Sequence, residues 1–408
     1  MKKILIVLDG GCDSPKDKIT PLSKARTPAL DKIASKSILG AVYPIKKGIA
    51  PESDIAVMSI LGYDPIKYHT GRGPLEMYGT GLNPKNFLAL RVNFATKKDN
   101  KIVDRRVART LSSKEAKSLC NQINKKVKLN VPFILKHTTE HRAVLVFLKK
   151  LSAEITNTDP SYKRLGKLGI AKNTIRQNII KSKPLSKKAK ISSGLLNEFV
   201  EKSSRILERS KINKKRIKNN LLPANFLVTR DAGNALPILP KKRNFASVVG
   251  MPLEIGISKI AGIKVLKFNY AKTDKKNVYK TLFENLKRTI IASLKYIKST
   301  NYKYYYIHFK ETDIPGHDGK FKEKKQMIEL LDKEFFAKLT RIKNIKIVLT
   351  CDHATPVSKK GHSSDKVPVL ISNALKYPIN QRFTEKHAIK GKLKITYSKD
   401  ILNLLQKL

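Results

Sequence analysis

Apolar positions along the chain fall into short unbroken runs separated by longer amphipathic stretches. The first run, Ile4-Leu-Ile-Val-Leu8, is five residues long and closes on Asp9-Gly-Gly. Tyr304-Tyr-Tyr-Ile-His-Phe309 and Ile345-Lys-Ile-Val-Leu-Thr-Cys351 have the same character, and each is followed at once by charged or imidazole side chains. Runs of that length, rich in β-branched and aromatic residues, predict buried strands. Further strands are predicted over 246–249 and 264–268. Helical spacing dominates between them, near 253–261, over 278–297, and from 320 to 342 with Met327, Leu330, Leu331, Phe335 and Leu339 inward. A helix over 27–40 carries Leu30, Ile33, Ala34 and Ile38 on one stripe. Thr27 stands as its N-cap, Pro28 at its first position and Gly40 past its end. Strands alternating with helices in this way imply a mainly parallel sheet with helices on both faces.

The alternation breaks at Tyr63 and resumes near 242. Between them Phe87 to Ala95 alternates as a strand with Arg91 inside it, Ala143 to Phe147 forms another, and Pro223 to Gly233 a third. Residues 160–220 are Lys-rich and mostly helical in pattern, with Leu195, Leu196, Phe199, Ile206 and Leu207 on one face. Lys181 to Lys188 reads as a loop and Pro237 to Arg243 as a linker. Gly71 to Gly81 is glycine-rich without matching a phosphate-binding or dinucleotide-binding fingerprint. The plan is therefore an α/β unit made of residues 1–62 and 242–408, interrupted by a smaller α+β unit, 63–241. No internal repeat is present.

Composition narrows the class. A chain of 408 residues with 41% hydrophobic and 28% charged residues is globular rather than disordered. No apolar run approaches a membrane span, and the apolar start stops too soon for a signal peptide, so a cytoplasmic protein is expected. Three cysteines, Cys12, Cys120 and Cys351, lack metal-type spacing and are expected as free thiols. The net charge of +52 would attract anionic substrates or phosphate backbones. The basic residues are mostly scattered lysines without interleaved aromatics and Trp is absent, so no specific nucleic-acid partner is expected.

The chemistry gathers where strands end. In a parallel sheet all carboxyl ends lie along one edge, where ligands bind. Asp9, Asp313, His317, Asp352, His353 and His362 would converge there, enough ligands for two divalent cations about 4 Å apart. Oxygen and imidazole donors suit Mn²⁺, with Co²⁺, Zn²⁺ or Mg²⁺ as alternatives. Ser53 stands where a helix begins, closed by Gly62. A serine there is a favoured cap, and equally a site where an alkoxide or phosphoserine is stabilised by free N–H groups. Paired arginines, Arg105 with Arg106, and Arg142 beside His141, match carboxylate or phosphate oxygens through their forked donors.

Pro51-Glu-Ser-Asp54, Ile60-Leu-Gly-Tyr-Asp-Pro65 and Gly71-Arg-Gly-Pro-Leu-Glu76 resemble the archaeal-type phosphoglycerate mutases that work without 2,3-bisphosphoglycerate. So do Asn93-Phe-Ala-Thr96 with Ile102-Val-Asp-Arg-Arg106, and Asn213-Lys-Lys-Arg216 with Pro223-Ala-Asn225. Two further motifs resemble the family's metal-site signatures. One is His308-Phe-Lys310 leading to Asp313 and Gly316-His-Asp-Gly319; the other is Asp352-His-Ala-Thr-Pro356 leading to Gly361-His362. The resemblance implies an alkaline-phosphatase-like fold and 3-phosphoglycerate as substrate, in glycolysis and gluconeogenesis. It implies Ser53 as a nucleophile passing through phosphoserine, Lys310 as an activator and phosphate partner, and Asp159 as a base. Asp9, Ser53, Asp352 and His353 would hold one metal, and Asp313, His317 and His362 the other. Arg105, Arg106, His141 and Arg142 would hold substrate. The sequence departs from the family's pattern in Thr312, Ile314 and Pro315 and in its lysine excess. Another serine-based phosphotransferase or phosphatase of that superfamily, and a non-catalytic basic nucleic-acid-binding protein, are the competing readings.

Overall fold

At the centre of the larger sheet lies β1 (Lys2–Leu8), five of whose residues, Ile4 to Leu8, are fully buried. Apolar side chains of that size contribute roughly 1.5–3 kcal/mol each when removed from water. A run buried on both faces is what a central parallel strand requires. The computed structural model describes all residues except 84, 167, 172–177, 272–276 and 373. In it β12 (Tyr304–Phe309) and β13 (Ile345–Cys351) flank β1 in parallel. Leu8 stands opposite both Phe309 and Cys351. The three strands therefore finish level, and the next residues, Asp9, Lys310 and Asp352, share one edge. β10 (Phe245–Val248) and β11 (Lys264–Val265) continue the sheet in parallel beyond β12. On the other side β14 (Val367–Ile371) pairs antiparallel with β13, and β2 (Ile38–Val42) antiparallel with β14.

A second, antiparallel sheet has its own core. β3 (Leu88–Lys98) pairs with β4 (Lys101–Asp104), β6 (Arg142–Phe147) and β9 (Phe226–Gly233), and β5 (Phe133–His137) lies outside β6. Helices Ser113–Lys126 and Lys190–Glu208 pack on it. Leu119, Ile123, Phe147 and Phe199 belong to this core, which is separate from the one around β1. A hairpin, β7 (Tyr162–Leu165) and β8 (Leu168–Ala171), lies beside β9.

One helix, Arg72–Gly79, touches both halves. Its Leu75 joins the first core, while Met77 packs against Ala89, Val144 and Val146 of the second sheet. It runs so close to helix Pro252–Ile260 that a Cβ on Gly79 would overlap the Pro252 carbonyl, and one on Gly256 the Leu75 carbonyl. That approach is the physical reason for Gly79, while Gly73 lets the same helix close on the Ala89 carbonyl of β3.

The mainly parallel sheet matches the expected fold class, but local boundaries differ. Helix Pro28–Ser35 ends early, so Ile38 and Gly40 lie in β2 rather than on and beyond a helix. Thr27 occupies the N-cap position without a capping bond; Asp332 instead accepts from Ala29 N (3.3 Å) and Leu30 N (2.7 Å). The helical reading of 160–220 holds from Lys190 onwards, but 162–171 form a hairpin, and 172–177 lie outside the described residues. The 320–342 helix contains a π-turn, Asp332–Phe336, and β11 is only two residues long. Among the described residues no helix is long and apolar enough to cross a membrane.

Candidate active site

The level ends of β1, β12 and β13 bring Asp9, Lys310 and Asp352 together, and the loops that follow add imidazoles. His353 Nε2 lies 3.4 Å from Asp9 Oδ1, 3.4 Å from Asp352 Oδ2 and 3.5 Å from Ser53 Oγ. Asp313 and His317, four apart on the short helix Asp313–Asp318, share a face. His317 Nε2 is 3.4 Å from Asp313 Oδ2, His362 Nε2 is 3.7 Å from Asp313 Oδ1, and the two imidazole nitrogens are 3.2 Å apart. Four ligands at about 2.1 Å around a tetrahedral ion stand about 3.4 Å from one another. Both groups thus have the spacing of a ligand shell. Asp9 Oδ1 and Asp352 Oδ2 are buried without a hydrogen-bond partner among the described residues, which a cation would relieve.

The six residues expected at the rim are therefore brought together, with one addition. His308, also fully buried, places Nε2 3.3 Å from Asp9 Oδ2 and 3.8 Å from Asp352 Oδ2, while Tyr306 Oη contacts its Nδ1 at 2.6 Å. Asp9, His308 and Asp352 form one compact potential ligand group; Asp313, His353 and His362 form another, the His353 and His362 rings being stacked at 3.7 Å. His353 is thus within reach of both groups. Lys310 Nζ pairs with Asp9 and lies 3.2 Å from Glu254 Oε1.

Ser53 is the first residue of helix Ser53–Ile60, and the cap position belongs to Glu52. Its hydroxyl makes no capping bond, so capping does not account for the serine. Its one polar side-chain contact among the described residues is His353.

Two of the loops that carry these potential ligands are pinned from beneath. Lys324, fully buried, donates to the carbonyls of Cys12 (3.3 Å) and Thr355 (2.9 Å) and to Asp13 Oδ1. Asp13 Oδ2 accepts from Val357 N at 2.8 Å. Thr355 Oγ1 in turn donates to Asp313 Oδ1 at 2.8 Å and lies 3.1 Å from His353 Nδ1.

Facing Ser53 across a cavity is the second sheet's cationic wall. Arg105, Arg106, His141 and Arg142 line this cavity together with Ser53, Lys310, Asp313, His317 and His362. Arg91 from within β3, Arg72, Arg109 and Arg230 line it too, and sequence reasoning did not single these out for the site. The available signal was a guanidinium inside an otherwise apolar strand, as at Arg91. Arg105 is committed to Asp159, through bonds of 2.9 and 2.6 Å, and Asp159 itself is buried outside the cavity lining. Arg106 and Arg142 have no ion-pair partner among the described residues, and Arg142 Nε is buried without any. Burial, with Arg109, Arg105 and Arg142 close by, pulls the Arg106 guanidinium down to about 10. Burial and the neighbouring Arg72 bring Arg91 to about 9. Cations crowded this far below their ordinary range favour an anion between them. Burial opposes ionisation of Glu52, but Arg230, His362 and Arg72 hold its carboxyl well below the usual range.

Residues 34–213 match the family model of 2,3-bisphosphoglycerate-independent phosphoglycerate mutase, and residues 254–406 that of the metalloenzyme superfamily. The chain is 36% identical to the 2,3-bisphosphoglycerate-independent phosphoglycerate mutase of Aeropyrum pernix, over 96% of each chain. Among solved structures, the PH0037 protein from Pyrococcus horikoshii is 29% identical with a TM-score of 0.76, covering 100% of this chain and 97% of that one. The cofactor-independent phosphoglycerate mutase from Thermoplasma acidophilum is likewise 29% identical, with a TM-score of 0.56 and full coverage of both chains.

Proposed function

Because the chain belongs to the family of 2,3-bisphosphoglycerate-independent phosphoglycerate mutases, we propose that it interconverts 3-phosphoglycerate and 2-phosphoglycerate through a phosphoserine at Ser53. The observation that carries this is a serine free of any capping role, beside two metal-ligand groups, facing a cavity walled by arginines. Residues 63–241 are the substrate-binding insert, and residues 1–62 and 242–408 carry the ligands; the two separate cores support this division.

Asp9, Ser53, Asp352 and His353 would hold one divalent ion, and Asp313, His317 and His362 a second. The spacings of 3.2–3.7 Å support this grouping. His308, bound through Tyr306, orients the Asp9 and Asp352 carboxylates. When bound, the ions lower the serine pKa and offset phosphoryl charge. Mn²⁺ is the ion we favour, since mixed oxygen and imidazole donors suit it.

Ser53 Oγ takes the phosphoryl group from 3-phosphoglycerate while Lys310 neutralises its oxygens. Arg106 and Arg142, which have no ion-pair partner among the described residues, grip the glycerate carboxylate, and His141 beside them orients it. Arg105 lines the cavity and holds Asp159 behind it, so Asp159, the base that the resemblance implies, would reach the glycerate hydroxyls only once that pair opens. The freed glycerate turns, and its other hydroxyl takes the group back from Ser53. This small-molecule chemistry fits a cytoplasmic enzyme with no specific nucleic-acid partner.

Purified protein supplied with 3-phosphoglycerate, a divalent ion and enolase, with no bisphosphoglycerate, will form phosphoenolpyruvate. Failure to do so, with alternative phosphoesters hydrolysed instead, would assign it to the phosphatases.

A further inference from the structure

A phosphoserine serves a mutase only while glycerate, and not water, is its acceptor. What holds the second sheet against Ser53 therefore matters, and the residue preceding Ser53 does so. Glu52 is 6% exposed, and its Oε2 accepts from Arg230 Nη1 of β9 at 3.1 Å, with Arg72 Nη1 at 3.5 Å. Arg230 lies over the Tyr162 ring, 3.6 Å from its centroid, and Arg105 lies 4.9 Å away over the same ring. Arg105 is the residue that clamps Asp159. A continuous chain of contacts thus runs from the nucleophile's neighbour, through Arg230, Tyr162 and Arg105, to Asp159. A further ion pair crosses between the halves, Arg109 with Asp318 at 3.4 Å, but the Asp318 side chain is 28% exposed. A pair so open to solvent holds weakly, whereas breaking a buried one is costly.

We propose that the Glu52–Arg230 pair is a latch that keeps the cleft shut over phosphoserine and so decides between transfer and hydrolysis. This rests on the mutase reading of Ser53. In transfer, a glycerate hydroxyl oxygen bonds phosphorus as the Ser53 Oγ–P bond breaks, and the hydroxyl gives up its proton to the general base. In hydrolysis a water oxygen makes that bond instead, and inorganic phosphate and glycerate leave separately. Glu52 acts as a positioning residue: its Oε2 is taken up by Arg230 and Arg72, and it works by holding Arg230 and the sheet behind it.

The test is the ratio of inorganic phosphate to 2-phosphoglycerate formed from labelled 3-phosphoglycerate by the metal-loaded full chain. Glu52→Gln and Arg230→Gln will each raise it by about tenfold or more, since either removes the 3.1 Å pair that ties β9 to Glu52 and leaves the survivor only longer pairs, Glu52 with Arg72 at 3.5 Å and His362 at 3.9 Å, Arg230 with Asp231 at 3.6 Å. The double variant will raise it no further, because both remove the same contact. Glu52→Asp, which keeps the charge on a shorter arm, will give an intermediate ratio and covers the case in which Glu52→Gln does not fold. Wild-type turnover with a ratio unmoved in the folded variants, or effects that add in the double variant, would overturn the latch alone. A wild-type protein that releases phosphate but forms no 2-phosphoglycerate would overturn the mutase reading itself.

Discussion

Lys324→Met tests the support beneath the site without touching a ligand. The ammonium group is fully buried and donates to Asp13 and to the carbonyls of Cys12 and Thr355. Met fills much the same volume, so no large cavity opens, and the loss is electrostatic. Asp13, 1% exposed, keeps its bond from Val357 N but loses its counter-charge. Removing one partner of a buried pair costs about 3–5 kcal/mol. Unfolding entropy of about 2.1 cal/mol/K per residue gives about 0.5 kcal/mol/K for the roughly 230 residues of the ligand-bearing unit. Tm should therefore fall by roughly 6–10 °C. The measurement is calorimetry in chelator, so that metal binding does not contribute. Asp13→Asn added to Lys324→Met should recover part of the loss, because it removes the orphaned charge. A change in Tm below about 2 °C, or a double variant worse than the sum of the singles, would refute the reasoning.

Ser53→Ala should change stability by less than about 0.5 kcal/mol, since no capping bond is lost, while turnover falls at least about a thousandfold; more than a few per cent of residual activity would exclude the covalent route. Arg106→Ala should abolish mutase turnover yet leave phosphate transfer from p-nitrophenyl phosphate to Ser53, followed by hydrolysis. Equal loss of both activities in folded protein would make Arg106 a structural residue. Chelation should remove activity and lower Tm, and Mn²⁺ should restore both; full activity in chelator, with no metal by elemental analysis, would end the two-ion proposal.

The strand runs that close on Asp9, Lys310 and Asp352 were legible in the sequence, because one edge of a parallel sheet collects whatever follows its strands. Asp313 and His317 were legible through helical spacing. Contacts made at long range were not. The cap of helix Pro28–Ser35 comes from Asp332, some three hundred residues away, and displaces the local candidate Thr27. Ile38 and Gly40 look like the tail of that helix, but pairing of β2 with β14 overrides local propensity. Arg105 and Arg106 are neighbours in sequence yet differ in availability, since only one meets Asp159. His308 stands both in a strand run and at the head of a metal-site motif, neither of which gives it a role; its place between two carboxylates follows from the registers of three strands together.

Helix Arg72–Gly79 bears on how the molecule can be taken apart. With Gly79 and Gly256 admitting backbone against backbone on one side and Met77 seated on the second sheet on the other, neither half can surrender it. An excised 63–241 fragment would carry the helix with a raw face where helix Pro252–Ile260 had lain. The remaining chain, rejoined, would expose that partner helix instead. The two cores are separable on paper, but genetic shuffling of substrate-binding inserts between such enzymes would succeed only where the helix and its glycine contacts travel, or are matched, together.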